Sequence, residues 1–87
     1  MTIARLTLIG KPGCHLCDDA RATVASVISE LDDPTSVALE EFSILDDAAL
    51  AEKYWDEIPV LMLNGAVHNI WRIDPMRLRA ALLEATA

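Results

Sequence analysis

Two runs of this chain, residues 3–9 (Ile-Ala-Arg-Leu-Thr-Leu-Ile) and residues 60–63 (Val-Leu-Met-Leu), are rich in aliphatic and β-branched side chains. Runs this short and this apolar read as strands buried on both faces, and such strands need helices above and below their sheet. Gly10-Lys11-Pro12-Gly13 stops the first run with a turn. From Cys14 to Leu31 the period changes: Ala20, Val24, Val27, Ile28 and Leu31 recur at helical spacing until Asp32-Asp33-Pro34-Thr35 ends the pattern. Residues 37–44 alternate through Val37, Leu39, Phe42 and Ile44 as a second strand, and Asp46 or Asp47 can cap a short helix reaching Trp55, with Leu50 and Tyr54 on one face.

Pro59 opens the second apolar run, and Asn64-Gly65 behind it is a strong hairpin signal that pairs it with residues 67–73. Asp74-Pro75 then supplies a cap and a proline at the first helical position, and Met76, Leu78, Leu82 and Leu83 are expected to make the last helix amphipathic. The order is β-α-β-α-β-β-α. A parallel unit followed by a hairpin gives a small mixed sheet with helices on both faces.

At 87 residues the chain has apolar surface for one core, so residues 1–87 are expected to form a single domain. A net charge of -7, with scattered Lys and Arg, argues against binding nucleic acid or an anionic membrane. The N-terminus MTIARLTLIG shows neither a signal peptide nor the roughly 20 apolar residues of a membrane span, so a reducing, cytoplasmic setting is expected. In that setting a close cysteine pair is more often catalytic or metal-binding than a permanent staple.

Both cysteines lie in KPGCHLCDD, residues 11–19. Cys14 falls where the first strand gives way to the first helix, and the unpaired N–H groups of a first helical turn favour a thiolate. Cys17, one turn on, is placed to attack a mixed disulfide on Cys14 and is expected to be the more buried of the two. Cys14 is therefore read as attacking and Cys17 as resolving. His15 either adds to the stabilisation when protonated or is an exposed loop residue, while Asp18 and Asp19 oppose a thiolate if their carboxylates approach it. Trp55 and Trp71 are read as packing residues rather than the lining of a substrate groove, and His68 as solvent-facing. The Asp32-Asp33 and Asp46-Asp47 pairs suit turns and caps better than acid–base catalysis.

Strand, turn, C-x-x-C and helix, followed by Ile58-Pro59-Val60-Leu61 ahead of a hairpin, together resemble the thioredoxin superfamily. The short length and Lys11 three residues before Cys14 look most like glutaredoxins. Cys14-His15-Leu16-Cys17, Tyr54 and the Leu78-Arg79-Ala80-Ala81-Leu82 helix are similar to a group of small bacterial glutaredoxin-like proteins. The resemblance implies a thioredoxin-like three-layer sandwich around a four-stranded mixed sheet. It also implies a cis peptide bond at Pro59, with Ile58 pairing its backbone with an extended substrate. Lys11 and His15, close to Cys14 in sequence, are read as further substrate-binding residues.

The chain departs from the glutathione-binding pattern. Glu57 stands where a polar neutral residue is usual, and residues 67–72 carry no glycine pair. Glutathione is thus a disfavoured electron donor, with a thioredoxin-type reductase system as the other. No organic cofactor and no metal are expected, and the partners are a disulfide-containing protein or small thiol substrate and the donor, the chain itself being a monomer. Two alternatives stay open. Cys14 and Cys17 could bind copper, zinc or a shared iron–sulfur cluster, although Cys14, Cys17, His15 and His68 are the whole supply of soft ligands. The domain could instead be a non-catalytic docking module.

Overall fold

The computed structural model describes residues 2–87. Its elements run β1 (Ala4–Gly10), α1 (His15–Ser29), a 3-10 turn (Pro34–Ser36), β2 (Val37–Ser43), α2 (Ala48–Tyr54), β3 (Val60–Leu63), β4 (Ala66–Ile70) and α3 (Pro75–Ala85). The strands form one sheet in the order β2-β1-β3-β4, with β1 parallel to β2 and antiparallel to β3, and β3 antiparallel to β4. The two apolar runs are therefore the two central strands, which accounts for their composition. Val60 and Leu61 point to opposite faces and both are 0% exposed.

On one face Ala4, Leu6, Leu8 and Leu61 pack with Ala20, Val24 and Val27 of α1 and Leu78 and Leu82 of α3. On the other, Ile9 and Val60 pack under Tyr54, with Leu50, Ile58 and Ile70 closing the cluster. Two helices below and one above complete the three-layer α/β sandwich.

Local chemistry sets the boundaries. Asp47, not Asp46, caps α2, its carboxylate accepting from the Ala49 and Leu50 amides. Asp33 does the same for the 3-10 turn, and Asp74 caps α3 by accepting from Met76 and Arg77. Asn64 and Gly65 adopt φ of 51° and 86°, the left-handed pair a two-residue hairpin needs. The Asn64 side chain also accepts from the Arg5 amide at 2.9 Å, tying the hairpin to β1.

Several side chains lie elsewhere than the pattern suggests. The last strand ends at Ile70 rather than 73, because Trp71 turns the chain with a φ of 64°. Leu39 and Phe42 remain exposed, since β2 is the sheet edge, where the helices on either face cover the strand only in part. Met76 is 82% exposed, and Leu83 is also exposed, so the buried stripe of α3 is Leu78 and Leu82. Trp55 and Trp71 are not packing residues: they are 68% and 52% exposed.

His68, expected to face solvent, sits half-buried at an irregularity in the β3–β4 pairing, with its Nε2 enclosed and without a hydrogen-bond partner among the described residues. Burial, and secondly the charge of Arg77, pushes its pKa below the ordinary value, while Asp74 acts in the opposite sense. A base depressed by folding binds fewer protons folded than unfolded, so this stability is present above about pH 6.5 and is lost as pH falls toward the folded value. Replacing His68 by leucine is expected to remove that acid-side loss. Urea midpoints of the variant at pH 7 and pH 5 should lie closer together than those of the wild type, and an unchanged gap would rule out His68 as its source.

Candidate active site

The site is built at the end of the sheet where β1 finishes and β3 begins. Cys14 is the N-cap of α1, in extended backbone, and its Sγ accepts a hydrogen bond from the Cys17 amide at 3.2 Å while its carbonyl accepts from the Asp18 amide at 3.0 Å. The thiol thus takes the position that Ser or Asp usually occupies in a cap, and satisfies one of the orphan donors of the first turn. Cys14 is partly exposed and Cys17 is 1% exposed, and both are free thiols.

Burial raises the Cys17 pKa to about 11, and its hydrogen bond and charge interaction with Cys14 push the same way. The Lys11 peptide group and the positive charge of Arg21 oppose the rise. Gly10 makes this burial possible. A Cβ built on Gly10 would lie 2.9 Å from Cys17 Sγ and 3.1 Å from its Cβ, so the end of β1 must be bare for the thiol to rest on it.

Pro59 is fully buried, and the Ile58–Pro59 peptide bond is cis. Val60 pairs with Ile9 in the register of β1 and β3, which brings Pro59 to the level of Gly10 and therefore of Cys17. Ile58 packs its side chain into the cluster under α2, while its amide and carbonyl make no hydrogen bond among the described residues. The Pro59 carbonyl accepts from the Trp71 amide at 2.8 Å. Lys11 shares a cleft of about 360 Å³ with Cys17, Asp18, Arg21 and Glu41. His15 is exposed on the first turn of α1.

The two acids behind the cysteines behave differently. Asp18 is drawn to Arg21 at 2.9 Å, and Arg21 in turn holds Glu41 of β2 at 2.8 Å. That bridge occupies the Asp18 carboxylate. Asp19 has no ion-pair partner among the described residues. Among the described residues no group of three or more His, Cys, Asp or Glu comes together as a metal cage, and no helix is long and apolar enough to cross a membrane.

Sequence reasoning missed Gly10, Arg21 and Trp71 as residues of this region. Gly10 carried a signal, a glycine closing a buried strand just before a cysteine turn. The exposure of Trp71 depends on contacts to residues 56 and 59 that no local pattern reports.

A mixed sheet in this order, with a dithiol capping the first helix and a cis-proline leading into the third strand, is a thioredoxin-like fold. Residues 5–83 match the Glutaredoxin-like domain (DUF836), and the chain belongs to that family. A structural-genomics target protein from X. campestris is 37% identical, with a TM-score of 0.71 over 92% of this chain and 97% of that one. An uncharacterized protein of Mycobacterium tuberculosis is 28% identical over 87 residues, spanning 99% of this chain and 90% of its own. A mutant thioredoxin from Halobacterium salinarum shares the fold at 18% identity, with a TM-score of 0.67 over 99% of this chain and 77% of that chain.

Proposed function

We propose that the protein is a thiol–disulfide oxidoreductase that reduces disulfides through Cys14 and Cys17. The observation that carries this reading is the inequality of the pair: a partly exposed sulfur at a helix cap, hydrogen-bonded by the amide of a second cysteine whose own thiol is buried and held protonated. The Cys14 thiolate attacks one sulfur of the substrate disulfide. A Cys14–substrate bond forms as the substrate S–S bond breaks, and the departing sulfur takes up a proton. Cys17 then loses its proton to solvent or to the leaving thiolate and attacks Cys14 Sγ. The second substrate thiol is released, two electrons have passed to the substrate, and Cys14 and Cys17 are left as a disulfide.

A raised Cys17 pKa suits this order, because the resolving sulfur stays a thiol until Cys14 has reacted. The free peptide groups of Ile58 offer the substrate backbone a place to pair beside the sulfurs. Returning the disulfide to the dithiol requires an external two-electron thiol donor, either a reductase-linked dithiol protein or glutathione.

The test is trapping with Cys17→Ser under mild oxidation. A mixed disulfide on Cys14 that reductant releases is the expected product, and Cys14→Ser should yield none. Equal trapping by the two variants would sink the assignment of roles.

A further inference from the structure

Beside the cysteines lies a groove of about 450 Å³ lined by Leu16, Ile70, Trp71 and Arg72. Leu16 sits between the two cysteines in sequence, so the groove is continuous with the helix turn that carries them. Its wall is Trp71, whose backbone φ of 64° is rare for a bulky side chain. That conformation is held at both ends: the Trp71 amide donates to the Pro59 carbonyl at 2.8 Å, and the indole Nε1–H donates to the Asp56 carbonyl at 3.1 Å. With both N–H donors committed, the ring is held in place while the residue as a whole stays 52% exposed. A tryptophan needed only for packing would gain by burying that surface. Trp55 is more exposed still, but among the described residues no hydrogen bond fixes its ring, and it does not line this groove.

From these observations we infer that Trp71, with Leu16 and Ile70, forms a specificity subsite for a large apolar side chain adjacent to the disulfide cysteine of a polypeptide substrate. The inference rests on the disulfide-exchange reading above. A polypeptide running past Ile58 with its cysteine at Cys14 Sγ places a neighbouring side chain over the first turn of α1, where Leu16 and Trp71 meet. The charges favour a neutral occupant. Arg72 lines the groove and also a smaller hollow behind it, which Asp19 lines too, so one cation is set against one acid. With Glu57 beside Ile58 and a net charge of -7, a small thiol bearing two carboxylates has little to attract it here.

The test uses reduced full-length protein and the release of thionitrobenzoate from mixed disulfides of octapeptides with phenylalanine or glycine next to the cysteine. The matching disulfides of glutathione and mercaptoethanol serve as references. Wild-type protein is expected to react about 10-fold faster with the phenylalanine peptide than with the glycine peptide, each rate taken relative to mercaptoethanol. Trp71→Gly, in which glycine accepts the left-handed backbone, should reduce that preference below about 2-fold, and Trp71→Phe should retain most of it. Equal rates for the two peptides, a preference that survives Trp71→Gly, or a glutathione disulfide as fast as the phenylalanine peptide would each overturn the subsite while leaving the exchange reading intact. Failure to release thionitrobenzoate from any of the disulfides would instead overturn the exchange reading, and the subsite with it.

Discussion

Iodoacetamide at pH 8 is expected to alkylate Cys14 and to spare Cys17, which in the folded protein should react at least about 100-fold more slowly than in urea. The factor follows from the thiolate population. Folding raises the Cys17 pKa from 9.0 to about 11, chiefly by burying the sulfur and secondly by placing it against Cys14. Two units remove about 99% of the thiolate present at any pH well below both values. Steric closure around a side chain 1% exposed can only widen the gap.

The same shift sets a pH dependence of stability. Between pH 9 and 11 the folded protein holds a proton on Cys17 that the unfolded chain releases. Stability therefore falls as pH rises through that window, by up to about 3 kcal/mol at its upper end. Urea titrations of wild type and Cys17→Ala between pH 8 and 11 separate this loss from that of other alkaline groups. The difference between the two proteins should shrink with rising pH, and parallel profiles would show that Cys17 is not held protonated by the fold.

The fold was legible because its boundaries are fixed by local chemistry. Asn64-Gly65, Asp74-Pro75 and the capping aspartates each satisfy or remove particular backbone groups within a few residues, and such requirements can be read without knowing what packs where. The aliphatic richness of β1 and β3 likewise pointed to burial on two faces, although Arg5 of β1 stays exposed. What depends on sheet order was not legible. Residues 37–44 alternate like a half-buried strand, but β2 lies at the edge, and Leu39 and Phe42 stay exposed. On α3 the error was one of geometry: Met76 and Leu78 are two residues apart, about 200° around a helix, and cannot share a face.

At the site, the placement of Cys14 and Cys17 on the first turn of α1 followed from the strand, turn and helix around them. The surroundings of Trp71 did not. Its backbone conformation is set by acceptors at Asp56 and Pro59, reached only once β3 and β4 have paired. Arg21 similarly engages Asp18 one turn earlier and Glu41 twenty residues later, and only the first of those contacts is local.

Gly10→Ala is expected to destabilise the protein by about 1–3 kcal/mol, a fall in melting temperature of at least about 4 °C for a domain of this size. The added methyl would lie 2.9 Å from Cys17 Sγ and 3.1 Å from Cys17 Cβ, so one of the two must move. The strand is poorly placed to yield. Gly10 pairs with Ser43 in the β1–β2 register, and its carbonyl accepts from the Ile44 amide at 2.9 Å. The displacement therefore falls on the first turn of α1, where it breaks the 3.2 Å hydrogen bond from the Cys17 amide to Cys14 Sγ and withdraws the resolving sulfur from its partner. A mixed disulfide on Cys14 should then persist longer in Gly10→Ala than in wild type. Truncating Cys17 to alanine removes the closer of the two contacts, so in a double-mutant cycle the combined variant should be more stable than the sum of single losses predicts, by about 1 kcal/mol. Additive losses would mean that Gly10 is required for a reason other than the seat it gives Cys17.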